Sequence, residues 1–165
     1  EKKDSQEICF IPDNDYKKFL KDNINEKVKT GNIVLKTGEI LGKHQGLTNY
    51  TIGQRKGLGI SYKEPLYVID LNKEKNEVIV GTEKDLFSKT LYAKNVNWLV
   101  FEELNSKIEC YAKVRYRAKE AKAIVKKDEE KIKVEFDEPQ RAITPGQSVV
   151  FYDEKGIILG GGIII

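Results

Sequence analysis

The sequence predicts a mainly β protein with one short N-terminal helix. Short apolar or alternating segments recur along most of the chain, separated by glycines, prolines and polar residues, as strands joined by turns are. Only one segment, near the N-terminus, spaces its apolar residues three and four apart, as a helix does. The 165 residues, 39% of them hydrophobic, suffice for one domain or two small ones.

The first 24 residues predict a strand followed by that helix. Residues 7–11 are suited to a short strand, which Pro12 ends. Asp13 or Asn14 can cap the helix that follows. The residues at helical spacing are Tyr16, Phe19, Leu20 and Ile24. We expect this face of the helix to pack inward.

The middle of the chain predicts short strands with many glycine breaks. The expected strands are 33–35, 39–41, 50–52, 65–70 and 77–80. The last two flank a polar turn and therefore indicate a hairpin. We expect one helical turn at 85–88 and a domain boundary close to it.

From Leu91 onward the predicted strands become longer and more regular. They are 92–99, 108–117, 120–127, 131–136, 148–152, 157–159 and 163–165. Strands at this spacing indicate a small closed antiparallel β-barrel. The three glycines at 160–162 are expected to form a tight turn between the last two strands.

The bulk composition limits the class of protein. A net charge of +3 means that a nucleic-acid site has to come from local clustering of bases. Two cysteines give no disulfide framework and fit a reducing compartment. No segment has the length of a membrane span or the pattern of a signal peptide. Because the chain contains no Met, even at position 1, we expect that it was cut from a longer protein.

The glycine-rich segment, residues 42–60, is the most unusual part of the sequence. It holds the only histidine, His44, and three bases, Lys43, Arg55 and Lys56, with no acid. Glycines allow close approach of the backbone to a ligand, and interleaved basic and aromatic side chains suit RNA. The alternative is a loop with a solvated basic face. For His44 an RNA contact, a structural hydrogen-bonding role and general acid-base catalysis all stay open.

The two cysteines have different surroundings. Cys9 is a candidate nucleophile, although the sequence around it, taken alone, favours a buried structural cysteine. Cys110 shares one strand face with Ile108, Ala112 and Val114, which predicts a place in the core.

Two further segments are candidates for binding nucleic acid. Lys113, Arg115 and Arg117 lie two residues apart on a predicted strand. This spacing fits contacts with a phosphate backbone, and it equally fits a charged, solvated edge strand. Gln147 follows a Pro-Gly turn, where its amide either projects toward a ligand or is an ordinary turn residue. No P-loop, dinucleotide fingerprint or zinc-spaced His/Cys set occurs, so no metal site is predicted.

Taken in order, the segments 4–11, 42–60, 113–117, 142–147 and 159–163 resemble the tRNA-specific 2-thiouridylases, the MnmA/TrmU family. The resemblance covers essentially the whole chain, but only the later part of the family's protein. It implies three divisions: residues 1–24 close the catalytic domain, 25–86 form a central tRNA-binding domain, and 87–165 form a six-stranded-type antiparallel barrel. This barrel would be similar to the second domain of translation factors.

The resemblance also implies roles for individual residues. Cys9 would carry a persulfide sulfur, and Arg115, Tyr116 and Gln147 would contact tRNA. With the basic residues named above, the expected tRNA-binding set is Lys43, His44, Arg55, Lys56, Arg115, Tyr116, Arg117 and Gln147.

The implied activity is that of a tRNA-uridine 2-sulfurtransferase acting on wobble uridine 34. The family's Ser-Gly-Gly-x-Asp-Ser loop is missing here, so ATP is expected to bind an absent N-terminal domain, with no cofactor on this chain and no activity from it alone. The implied partners are tRNAs of the Lys, Glu and Gln types and a sulfur-donor protein, with no membrane. A cytoplasmic monomer is expected.

Two other interpretations stay open. The chain is either a non-catalytic RNA-binding barrel with an inert Cys9, or a tRNA (5-methylaminomethyl-2-thiouridylate) methyltransferase, a label the family has carried. No glycine-rich loop after a strand offers a site for a methyl donor.

Overall fold

The computed structural model describes residues 29–165, which form a four-stranded mixed sheet followed by a closed six-stranded antiparallel barrel. The mainly β prediction and the six-stranded barrel are confirmed. The predicted N-terminal strand and helix, and with them Cys9, lie outside the described residues. The described residues form two separate hydrophobic cores, one in the sheet and one in the barrel. The domain boundary between residues 86 and 87 stays a prediction.

The sheet contains strands in the order β2-β1-β4-β3. Their bounds are β1 Gly31–Leu35, β2 Ile40–His44, β3 Tyr67–Asn72 and β4 Glu77–Gly81. β1 is parallel to β4, and the other two pairs are antiparallel, with β3 and β4 forming the predicted hairpin. Ile33, Val68, Val78 and Val80 fill one face of this sheet and have no exposed surface.

The glycine-rich segment covers this apolar face. Leu58 is buried in the same core, and Tyr50 and Ile60 pack against it. The strand expected at 50–52 is wrong: a short 3₁₀ helix, Leu47–Asn49, precedes these residues, which continue into a turn. Tertiary packing on the sheet overrides the β propensity of this short apolar stretch.

A second 3₁₀ helix, Glu83–Leu86, joins the sheet to the barrel. It begins two residues before the predicted helical turn because Asp85 forms a capping box with Thr82, accepting its amide hydrogen at 2.9 Å. The other oxygen of Asp85 pairs with Lys36 Nζ at 2.8 Å, and this hydrogen bond holds the carboxyl pKa below its usual value. Asp85 thereby ties the junction to the end of β1.

The barrel closes in the order β10-β5-β8-β7-β6-β9. Its strands are β5 Phe87–Trp98, β6 Ile108–Lys113, β7 Ala121–Asp128, β8 Lys131–Arg141, β9 Ser148–Tyr152 and β10 Ile158–Ile164. Phe151, Val134 and Val125 are fully buried inside, and Trp98 stacks on Phe151 with ring centroids 5.2 Å apart. Cys110 lies in this core, as predicted.

The three consecutive glycines lie within β10, so the predicted turn at 160–162 is wrong. A Cβ on Gly160 would lie 2.5 Å from the carbonyl oxygen of Asn97, and one on Gly162 would lie 2.6 Å from a methyl of Val96. Both neighbours belong to β5, so the glycines permit the close approach that closes the barrel. Within residues 29–165, no helix is long and apolar enough to span a bilayer.

We predict that Gly160→Ala lowers the free energy of unfolding by about 1–3 kcal/mol, because the added methyl meets backbone atoms. Chemical denaturation measures this change. Gly42→Ala is the matched control, since its Cβ would meet only a side-chain methyl of Ile60 at 3.0 Å. Equal losses for the two variants would contradict the account of barrel closure.

Candidate nucleic-acid interface

One end of the barrel gathers the loops that carry several of the predicted site residues. Because neighbouring strands are antiparallel, the ends of β6, β8 and β10 meet the starts of β5, β7 and β9. The β6–β7 turn, residues 114–120, and the β8–β9 loop, residues 142–147, therefore lie at the same end. We call these two loops the barrel rim. The chain also enters the barrel here from the sheet.

Arg115, Tyr116 and Arg117 lie in the β6–β7 turn, which the Ala118 amide stabilises by donating to the Arg115 carbonyl at 3.1 Å. The predicted strand 108–117 is too long, because β6 ends at Lys113. All three residues are exposed, and Tyr116 is 87% exposed. In a turn, neighbouring side chains do not have to point to opposite faces as they do in a strand, so Arg115 and Tyr116 can contact the same ligand.

The guanidinium of Arg115 is oriented by a hydrogen bond that its Nη2 donates to the main-chain carbonyl of Arg141. A carbonyl oxygen is neutral, so this contact positions Arg115 without cancelling its formal charge. On the wall of the barrel Lys122 pairs with Glu109 at 3.3 Å, and where β6 reaches the rim Lys113 pairs with Glu120 of the β6–β7 turn at 3.7 Å. The expected row of cations along the strand is thus accompanied by acids.

Gln147 lies on the second loop of the rim. Its main-chain amide donates to the Thr144 carbonyl at 3.2 Å, which closes the predicted Pro-Gly turn. Gly146, within this turn, has a φ of 86°. Its carbonyl accepts the Ile164 amide at 2.8 Å, which fixes the loop to the end of β10. The side chain is exposed.

The glycine-rich segment reaches the rim at Gly53. A Cβ built on Gly53 would lie 3.3 Å from the Cβ of Ala142, the first residue of the β8–β9 loop. Gly53 also donates its amide to Val68 of β3 at 2.8 Å. Arg55 and Lys56 are exposed within three residues of this contact. The fold therefore brings these two basic residues to the same end of the barrel as Arg115.

The side chain of Gln54 braces the loop that bears Arg55 and Lys56. Its Oε1 accepts the Thr51 amide at 3.0 Å, and its Nε2 donates to the Lys56 carbonyl at 3.0 Å. One amide side chain thus spans the six residues 51–56 of the backbone and fixes the turn.

His44 is fully buried, which corrects the expectation that it contacts RNA. The Gly46 amide donates to its Nδ1 at 3.0 Å, so Nδ1 is the acceptor and the proton lies on Nε2. Nε2 then donates to the Asn76 carbonyl at 3.0 Å. With both nitrogens bonded and no exposed surface, His44 is the structural group that the sequence left open as an alternative.

Lys43 lies apart from the rim. It is exposed on β2, and its cleft includes Lys75 and Asn76 of the β3–β4 hairpin. At the opposite end of the sheet, Lys36 pairs with Asp85 of the 3₁₀ helix that leads into the barrel. Strands of this length separate Lys43 from that end by about 15 Å.

The two cysteines remain distinct. Burial raises the pKa of the Cys110 thiol to about 11, so the nucleophilic thiolate is scarce at neutral pH. Its structural assignment is confirmed by its burial in the barrel core. Cys9 lies outside the described residues.

Arg141 is a residue that sequence reasoning missed. It ends β8, its carbonyl accepts from Arg115, and its guanidinium carbon lies 5.7 Å from the centre of the Tyr67 ring. Its position just before the segment 142–147 was the available signal, but an isolated arginine at a strand end has no distinctive pattern.

Comparison with known proteins places the chain in a class and then in a family. Residues 17–82 match the tRNA methyl transferase PRC-barrel domain, and residues 88–164 match the aminomethyltransferase β-barrel domain. Both matched domains are named for transferases, and the first is named for transferases of tRNA. The chain belongs to the family of tRNA-specific 2-thiouridylases.

Curated relatives cover nearly the whole chain. It is 57% identical to the tRNA-specific 2-thiouridylase MnmA 2 of Clostridium botulinum strain Hall, over 99% of the chain and 46% of the relative. It is 54% identical to the MnmA of Clostridium kluyveri, with the same coverage. For the MnmA of Carboxydothermus hydrogenoformans the identity is 52%, over 99% of the chain and 45% of the relative. The chain spans less than half the length of these relatives.

We predict that His44→Ala lowers the free energy of unfolding by about 2–4 kcal/mol, because it leaves the Gly46 amide and the Asn76 carbonyl without their partner. Denaturation of the variant measures this loss, and Lys43→Ala next to it is the exposed control. A stable His44→Ala variant that binds RNA weakly would contradict the structural assignment.

Proposed function

We propose that this chain is the tRNA-binding part of a tRNA-uridine 2-sulfurtransferase, which makes 2-thiouridine at wobble position 34. The observation that carries the proposal is the clustering of exposed basic and polar side chains at one end of the barrel. Arg115, Tyr116, Arg117 and Gln147 lie on its two loops, and the glycine-rich segment contacts the same end.

This end of the barrel suits single-stranded or loop RNA. Guanidinium groups bind phosphates, an exposed tyrosine ring offers a surface for base stacking, and a glutamine amide can both donate and accept. A chain of net charge +3 relies on such local clustering for affinity. We include Arg55 and Lys56 in the contact set and place Lys43 at its periphery, because Lys43 lies at the far end of the sheet.

The chemistry of the proposal involves Cys9 and parts of the full-length protein outside this chain. ATP bound by a preceding domain would supply the adenylyl group that activates the C2 oxygen of the uridine, with pyrophosphate as the leaving group. A persulfide on Cys9, loaded by a sulfur-donor protein, attacks C2 and displaces AMP. A second cysteine of the preceding domain then releases the thiolated base, leaving a disulfide with Cys9. We expect tRNAs of the Lys, Glu and Gln types as substrates and a cytoplasmic monomer.

The names of the relatives support sulfur transfer over the two alternatives. The relatives compared are called 2-thiouridylases, although one matching domain carries the name of a tRNA methyltransferase. Mass spectrometry of the product nucleoside separates these chemistries, since sulfur exchange and methylation change its mass differently. A non-catalytic RNA-binding barrel would yield neither product.

We predict that the double variant Arg115→Ala/Arg117→Ala weakens tRNA binding by about tenfold and lowers the slope of log K against log salt by about 1 to 2, because two phosphate contacts are lost. Fluorescence anisotropy over a salt series measures both quantities in the full-length protein.

The control removes the same charge from the barrel wall. Lys126 and Lys133 both pair with Glu135, at 3.2 and 2.9 Å, so Lys126→Ala/Lys133→Ala is the matched variant. We expect this variant to bind tRNA nearly as the wild type does. Equal effects of the two double variants would mean that net charge, rather than the barrel rim, governs binding.

We predict that Cys9→Ser in the full-length protein reduces uridine thiolation by on the order of 100-fold or more while tRNA affinity stays unchanged, because serine cannot carry a persulfide. The assay contains ATP, a sulfur donor and tRNA, and Cys110→Ser is the matched control. Thiolation that survives in Cys9→Ser would make this chain an RNA-binding module only.

A further inference from the structure

The backbone at Ala142 joins the barrel rim to the sheet. Its amide donates to the carbonyl of Leu86, the last residue of the junction helix, at 2.7 Å. Ala142 has a φ of 51°, a left-handed conformation that costs a non-glycine residue free energy. Thr144 Oγ1 donates to the Ala142 carbonyl at 3.0 Å and supports this conformation. The loop therefore turns at Ala142 toward the sheet.

The Cβ of Ala142 faces the glycine-rich segment at Gly53. Gly53 has a φ of 89°, and a side chain there would meet Ala142 at 3.3 Å. The close approach of Gly53 and the Leu86 hydrogen bond place two separate parts of the chain against one residue of the rim.

The side chain of Arg141 contacts the same junction. Its guanidinium carbon lies 5.7 Å from the centre of the Tyr67 ring, at the start of β3. Its Nε lies 3.6 Å from a carboxylate oxygen of Glu83 in the junction helix. Its carbonyl accepts the hydrogen bond from Arg115. Arg141 therefore contacts the sheet, the junction and the rim.

We propose that Arg141 is a positioning residue that fixes the glycine-rich segment against the barrel rim, so that Arg55 and Lys56 grip the same tRNA as Arg115. This inference rests on the proposed function. An arginine suits the role because its planar guanidinium can stack on Tyr67 while Nε faces Glu83, and a lysine cannot reproduce both contacts.

Removing the charge of Glu83 is expected to change tRNA affinity in opposite directions under an electrostatic role and under a positioning role. Near a tRNA-binding surface, removing an acid by Glu83→Gln would strengthen binding if electrostatics alone acted. If Glu83 acts by holding Arg141, the same change weakens binding. Likewise, Arg141→Lys keeps the positive charge, so a direct phosphate contact would survive it, whereas the positioning role would not.

The experiment uses the full-length protein with two measurements on each variant, Glu83→Gln and Arg141→Lys. The first is hydrogen exchange of the Ala142 amide, which requires no RNA. The second is the Kd for tRNA. Glu64→Gln is the matched control, because Glu64 is exposed on the cleft that also contains Glu83 and Tyr67. We expect faster exchange and about twofold to fivefold weaker binding in both variants, and neither change in the control.

The outcomes separate this inference from the proposed function. Unchanged exchange at Ala142 in both variants overturns the inference, whatever the binding shows. Faster exchange with unchanged or tighter tRNA binding also overturns it, while the function stands if Arg115→Ala/Arg117→Ala still weakens binding. If that rim variant binds normally, the proposed function fails, and the positioning role fails with it.

Discussion

Closure of the barrel is the constraint on which the arrangement of the candidate site depends. β10 pairs with β9 on one side and with β5 on the other, and its glycines let the backbone of β5 approach closely. A closed antiparallel barrel brings alternate loops to the same end. The β6–β7 turn and the β8–β9 loop meet there for this reason, although the 21 residues 121–141 separate them in the chain. The clustering of Arg115 with Gln147 is thus a consequence of how the barrel closes.

The sheet depends on a second constraint, the buried His44. It connects the end of β2 to the β3–β4 hairpin through its bond to the Asn76 carbonyl. Gly31 lies beneath this bond, and a Cβ there would lie 2.0 Å from the Asn76 oxygen and 2.5 Å from Nε2. The glycine at 31 and the histidine therefore serve folding. The glycine-rich segment likewise covers the core of the sheet, and its exposed bases occupy only one part of it.

The distribution of charge differs between the wall of the barrel and its rim. Lysines on the wall lie next to glutamates, which suits a solvated surface and contributes little to stability. At the rim, Arg115 bonds to a neutral carbonyl and keeps its charge available. This contrast gives a physical basis for a nucleic-acid interface in a chain with little net charge. The sulfur chemistry of the proposal relies on Cys9 and on a domain outside this chain.

The sequence by itself determined the β class, the barrel, the β3–β4 hairpin and the core position of Cys110. Each of these follows from alternation along single strands, which is a local property of the chain. Only the tertiary structure decided that β6 ends before Arg115, that residues 160–162 continue a strand, that His44 is buried, and that Arg141 joins the rim to the sheet. These features depend on which distant segments meet. Local periodicity carries no information about such partners, because pairing across a barrel is set by closure of the whole sheet.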